Sequence, residues 1–254
     1  MSHEFQLEKE IELPATPEQV WEAIATGPGV DSWFMGHTEI EAREGGNNVF
    51  TMLGQTENSA VMAYEPGRRF AYGSSPAPDG SFMAFEYLIE GREGGSTTLR
   101  LVHSGVLGGD NWETEYEAMQ AGWPMYIESL LAYLTHFPGR TAAPVTAFLP
   151  NAGDPEQVWK EIGARFGLNG LDAIVQGAPA HLDAPGVGTV NGVVDSVSMP
   201  HFFGVRTEDA LYRFIHSGAE RGNAVVIGHH IFTDIDSDAT SQAWQQWLAD
   251  IFTG

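Results

Sequence analysis

Two nine-residue segments far apart in the chain are nearly the same: Thr16-Pro-Glu-Gln-Val-Trp-Glu-Ala-Ile24 and Asp154-Pro-Glu-Gln-Val-Trp-Lys-Glu-Ile162. Six residues recur in register, and the leading Thr or Asp is a helix-capping type in both. Such a repeat in a chain of 254 residues points to two successive structural units rather than one large one. Each copy spells a helix start: a cap, a proline at the first helical position, a glutamine at the capping-box position, and an apolar stripe of Val, Trp and Ile. The far ends repeat too, with Trp123, Ile127, Leu130 and Leu131 answering to Trp244, Leu248, Ile251 and Phe252. The spacing of matched residues falls from 138 (Thr16 to Asp154) to 121 (Trp123 to Trp244), so the second unit is expected to lack about a hairpin of sheet and to hold a smaller or open cavity.

The segments around the first copy set its architecture. Phe5, Leu7, Ile11 and Leu13 alternate with polar residues and predict a half-buried strand, out of phase only at Lys9. From 34 to 106, runs of strand-forming residues are separated by Gly45-Gly46-Asn47, Glu65-Pro66-Gly67, Pro78-Asp79-Gly80 and Gly94-Gly95, which predicts an antiparallel meander. Met119, Trp123, Ile127, Leu130, Leu131 and Leu134 then mark a long amphipathic helix from Glu113 to Phe137, with a kink or break expected at Pro124. Strand, short helix, meander and long helix is the order of an α+β helix-grip fold. It predicts two tandem domains, 1–140 and 141–254, each a curved antiparallel sheet around a long C-terminal helix. A linker begins at Pro138. In the second domain Leu211 to Ile215 and Ala224 to Gly228 are taken as the last two strands. An alternative register aligns Arg213-Phe-Ile-His-Ser-Gly218 with Arg100-Leu-Val-His-Ser-Gly105.

Composition narrows the partners. The chain is 43% hydrophobic and 11% aromatic, without an apolar run long enough for a bilayer span, so no membrane span is expected. Its formal charge of −22 opposes phosphate backbones, which argues against nucleic acid; the acidity fits either solubility or a salt-rich habitat. There is no cysteine for disulfide or thiolate chemistry, and Met1-Ser2-His3-Glu4 does not open like a secretory signal, so the expected location is cytoplasmic.

The first half resembles the AHSA1-like family (homologues of the activator of Hsp90 ATPase) of the START/polyketide-cyclase (SRPBCC) superfamily. The motifs that carry the likeness are Pro14-Ala-Thr-Pro17 with Val20-Trp21, Trp33-Phe34, Gly45-Gly46, Leu99-Arg-Leu-Val-His-Ser-Gly105, and Gly122-Trp123 followed by Leu130 and Leu131. The likeness spans about residues 3–137. It implies a cavity between sheet and helix, but members bind lipids, steroids, polyketides or protein partners, so fold alone does not choose among them. In the second half only the helix motifs survive, with no counterpart of Trp33.

Candidate cavity residues follow from strand alternation and from the family pattern. Met83, Phe85 and Tyr87 share one face of a strand, with Phe70 and Tyr72 one strand earlier; either a ligand wall or ordinary core would use them. His103 shares a face with Leu99 and Leu101 and is the leading polar candidate, as a ligand partner, a general acid/base or a satisfied rim histidine. The family pattern adds Trp33, Trp112 as a cap in the loop before the helix, and Trp123 on the helix, where packing is its expected role; the apolar stripe of that helix adds Ile127. His229-His230 point to opposite faces of a strand, and Asp234, Asp236 and Asp238 lack the rest of a calcium loop, so no metal is expected; helix capping explains the aspartates better. Phosphate-loop, dinucleotide and nucleophile-elbow motifs are absent, so no cofactor and no catalytic residue is assigned.

Three functions remain open. The first is binding of a small hydrophobic or aromatic molecule in the N-terminal cavity, and the second a cyclase/aromatase or dehydratase using His103 with a tyrosine such as Tyr87. The third is a chaperone (Hsp90-type) ATPase regulator. The tandem also suggests an intramolecular pseudo-dimer, as a single-domain relative would form with its copy.

Overall fold

The computed structural model describes residues 2–92, 94–109 and 112–252. They divide into two compact units, Met1–Thr141 and Ala142–Gly254.

The first unit opens with β1 (His3–Leu13), whose inward residues include buried Leu7 and Leu13, with Lys9 half-buried on the same side. Next comes α1 (Pro17–Ala25), started by the expected reciprocal cap: Thr16 Oγ1 accepts from Gln19 N–H and Gln19 Oε1 accepts from Thr16 N–H. A single-turn helix, α2 (Gly27–Val30), follows at once, its Thr26 cap accepting from Gly29 N–H. It lies so close to the next strand that a Cβ on Gly27 would meet Thr38 O at 2.2 Å, and only glycine fits.

Six strands complete this sheet: β2 (His37–Ile40), β3 (Asn47–Met52), β4 (Gln55–Glu65), β5 (Arg69–Gly73), β6 (Phe82–Gly91) and β7 (Thr97–Leu107). Their spatial order is β1-β7-β6-β5-β4-β3-β2, antiparallel throughout, so the opening strand closes against the last. Each expected turn lies between two of these strands. One turn the sequence reading did not mark joins β3 to β4 through Leu53 and Gly54, with φ of 50° and 79°. This two-residue hairpin requires positive φ, and a leucine in that conformation gives no sequence signal.

The long helix α3 (Trp112–His136) runs through Pro124 without the expected break. Pro124 and Gln120, whose carbonyl loses its helical partner, both lie on the exposed side, where water can take the place of the missing N–H. The buried face consists of Trp123, Met125, Ser129, Leu130, Tyr133 and Leu134, whereas Leu131 is 38% exposed. Neighbouring residues lie about 100° apart around a helix, so Leu130 turning inward carries Leu131 outward.

The second unit repeats the plan: β8 (Ala143–Leu149), α3's counterpart still to come, and α4 (Pro155–Arg165), whose Asp154 cap accepts from Gln157 N–H. Five strands follow: β9 (Pro179–Ala184), β10 (Gly188–Ser198), β11 (Phe202–Arg206), β12 (Ala210–His216) and β13 (Val225–Ile231). They form the sheet β8-β13-β12-β11-β10-β9. Pairing of β13 with β8 reproduces that of β7 with β1, which decides the register in favour of β12 and β13 as the last two strands. The unit has one strand fewer than the first, not a hairpin fewer. With alternating directions, losing a single strand makes the outermost β9 run opposite to its counterpart β2. The final helix α5 (Ser237–Phe252) begins at Asp236, whose carboxylate accepts from Ala239 N–H. Its Gln245 accepts from Phe148 N–H and donates to Phe148 O, covering part of the free edge of β8. Both units are therefore helix-grip domains.

Candidate ligand cavity

Between the sheet and the helices of the first unit lies a cavity of about 430 Å³. The sheet register explains its wall. Tyr72 pairs with Phe85, and Phe85 with His103, so these three residues stand side by side on the inner face. Phe70 and Tyr87 form the next such row. Tyr72 stacks on Phe85 (centroids 5.0 Å apart), and Phe70 on Tyr87 (6.3 Å). The cavity is lined by seven of the ten sequence candidates: Trp33, Phe70, Tyr72, Met83, Phe85, Tyr87 and Trp123.

The remaining three sit elsewhere. Ile127 is half-buried on α3 but does not reach the cavity lining. Trp112 is the first residue of α3 rather than a loop cap, and stacks on His3 at 4.0 Å. His103 lies in the middle of β7, behind Phe85, which stacks on it at 4.2 Å. Trp123 Nε1–H donates to His103 Nδ1 at 3.1 Å. An indole nitrogen only donates, so His103 carries its proton on Nε2, a buried atom with no protein partner. Burial pushes its pKa down to about 4, leaving the ring neutral at pH 7.

The wall also contains residues that alternation did not single out. Ile24, Val30, Phe34, Ile40 and Phe50 add apolar surface, while Thr38, Asn48, Glu57, Asn58, Ser59 and Ser74 add a polar side. Asn48 and Ser59 face each other across β3 and β4. Asn48 Nδ2 donates to Ser59 Oγ, and that hydroxyl donates to Asn48 O, each at 3.2 Å. Asp31, just after α2, positions Thr38: its Oδ1 accepts from Thr38 N–H at 2.7 Å, and Oδ2 meets His37 Nδ1 at 2.6 Å. Burial raises the Asp31 pKa, an effect that His37 opposes. Binary patterning could not single out Thr38 and Asn48, because it counts polar residues as outward-facing. The phenols belong to the apolar wall. Burial raises Tyr72 to about 12, and burial with the adjacent Tyr72 holds Tyr87 well above its ordinary value. Trp33 spends its polar end on the scaffold, donating Nε1–H to Ala23 O at 2.8 Å.

The second unit places different residues at these stations. Through the strand registers, Phe203 stands for Phe70, Val205 for Tyr72, Tyr212 for Phe85, Phe214 for Tyr87 and His229 for His103. The final-helix repeat sets Trp244 in the place of Trp123 and Trp247 in that of Tyr126. Instead of walls facing a hollow, Phe166, Phe203, Phe214, Trp244 and Trp247 meet one another at centroid distances of 5.1 to 6.4 Å within one buried cluster. His229 is deeply buried, accepts from Arg213 N–H at 2.9 Å and has its pKa held well below the usual value by burial. Arg213 itself is buried in a bidentate pair with Asp195, both contacts at 2.8 Å. Among the described residues no three His, Asp or Glu side chains converge as a metal site, and no helix is long and apolar enough to cross a membrane.

The first unit is thus a helix-grip sheet over a largely aromatic cavity. Residues 14–135, most of the first unit, match the family described as "Activator of Hsp90 ATPase homolog 1-like protein". Among solved structures, protein MLL2253 from Mesorhizobium loti is 20% identical over 52% of this chain and 98% of its own, with a TM-score of 0.46. CalU16 from Micromonospora echinospora is 22% identical over 53% of this chain and 76% of its own, with a TM-score of 0.41. DynU16, from the dynemicin biosynthetic locus, is 18% identical over 96% of this chain and 97% of its own, with a TM-score of 0.45. No curated protein matches the sequence.

Proposed function

We propose that the protein binds a small hydrophobic or aromatic molecule in the cavity of its first unit. The observation that carries this reading is the cavity itself, about 430 Å³ and walled by stacked aromatic rings with a few polar groups on one side. That volume falls within the roughly 300–1,000 Å³ range of small-molecule sites. A space of this size left among tightly packed rings forgoes their mutual contacts, a loss that an apolar guest would recover. Binding is favoured over proton-shuttling chemistry, because His103 stands behind Phe85 and does not line the cavity, and its burial keeps the ring neutral near pH 7, with no imidazolium to donate a proton. Native mass spectrometry of protein isolated from its own source tests the reading. A retained small molecule is expected, and Met83→Trp, which fills the wall, should abolish its retention. An empty protein that also ignores aromatic probes would overturn the proposal.

A further inference from the structure

We infer that the cavity accepts a flat ring system of about three fused rings that carries a hydrogen-bond donor at one end and no negative charge. This rests on the binding reading above and names the chemistry of the ligand.

Two polar atoms mark where the donor goes. Thr38 Oγ1 and Asn48 Oδ1 belong to cavity-lining residues only 6% and 4% exposed; the Asn48 oxygen has no partner in the protein, and the Thr38 hydroxyl, which has only the Asp31 carboxylate to donate to, keeps its acceptor site open. In the β2–β3 ladder Thr38 faces Phe50 and Asn48 faces Ile40, so the two are diagonal neighbours on one sheet face. Ser59 holds the amide nitrogen of Asn48 and leaves the oxygen open. A carbonyl oxygen only accepts, and a hydroxyl accepts as readily as it donates. A ligand hydroxyl or amine therefore satisfies groups that the fold leaves unpaired, whereas a bare hydrocarbon does not.

Charge supplies the second restriction. The lining includes no Lys, Arg or His, and its one charged residue is Glu57, opposite Phe50 on β4. A carboxylate or phosphate entering here would lose its hydration, meet no cation and approach a carboxylate. An ammonium would meet Glu57 and aromatic faces, both attractive to cations. Size follows from volume: a cavity of roughly 150 Å³ holds benzene, and this one is about 430 Å³.

The test titrates the full chain with four probes on one skeleton, substituted on a terminal ring: methylanthracene, anthracenemethanol, aminomethylanthracene and anthracenecarboxylate. Trp33 and Trp123 in the wall report binding by fluorescence quenching. The alcohol should bind about fivefold more tightly than the methyl compound, as one neutral hydrogen bond allows. The carboxylate should bind at least about tenfold more weakly than the alcohol. Thr38→Val should reduce the preference for the alcohol over methylanthracene. Glu57→Gln should weaken the amine and strengthen the carboxylate. Equal binding of alcohol, methyl compound and carboxylate overturns this inference while leaving cavity binding intact. Failure of all four to bind overturns the binding reading and this inference with it.

Discussion

The two units start from the same helix motif and a corresponding strand order around it, yet at matching stations one lines a hollow and the other brings aromatic rings into mutual contact. The difference lies in a few inward stations. Where the first unit has Tyr72 and Tyr87, the second has Val205 and Phe214, and where the first has Tyr126, the second has Trp247. Val205 and Phe214 bring no phenol where Tyr72 and Tyr87 do, Tyr212 returns one at the station of Phe85, and a larger indole fills space beside Trp244. One helix-grip frame can thus be specialised as a container or as a packed companion through side chains on a shared face.

If the second unit is packed and the first hollow, the same type of truncation should cost different amounts. Phe214→Ala, at a fully buried ring in contact with four other rings or more, should destabilise the second unit by about 3–5 kcal/mol. Phe85→Ala, beside the cavity and half-buried, should cost the first unit only about 1–2 kcal/mol. Urea unfolding of the full chain, with hydrogen exchange in β12 and β6 assigning each transition, measures both; equal costs would break the comparison.

Next in size is a shared sensitivity to acid. Burial pushes the His103 pKa down to about 4 in the folded state from its ordinary value of 6.5. Above pH 6.5 the ring is neutral in both states. As pH falls from 6.5 to 4 the unfolded chain takes up a proton that the folded state refuses, so stability declines by up to about 3 kcal/mol and then levels off. His229 shifts in the same direction. Denaturation midpoints at pH 7.5 and 5 should differ less in His103→Gln and in His229→Gln than in the parent; an unchanged pH dependence in both would count against these buried neutral rings.

The smallest effect sharpens the contrast at one station. Val205→Tyr forces a phenol into a filled core and should cost the second unit about 1–3 kcal/mol. Tyr72→Val, its mirror in the first unit, should change stability by less and show chiefly in probe binding. Thermal scans paired with probe titration separate the two outcomes.

Much of the frame was legible because it is local chemistry. Thr16 and Asp154 cap their helices as their spacing implies, and strand alternation found Phe70, Tyr72, Met83, Phe85 and Tyr87 on the inner face. Alternation, however, tells only which side of a sheet a residue takes and not how deep it stands. His103 was placed on the correct face, but nothing in its strand disclosed that Phe85 covers it.

By itself the sequence determined two capped helices in repeat, the sheets around them and the apolar face of each strand, since capping, turn chemistry and period-two patterning act over a few residues. Whether that face encloses space was decided by tertiary structure alone, because volume depends on side chains brought together from strands far apart in the chain. The same holds for Thr38 and Asn48, polar residues turned inward by Asp31 and by the β3–β4 register.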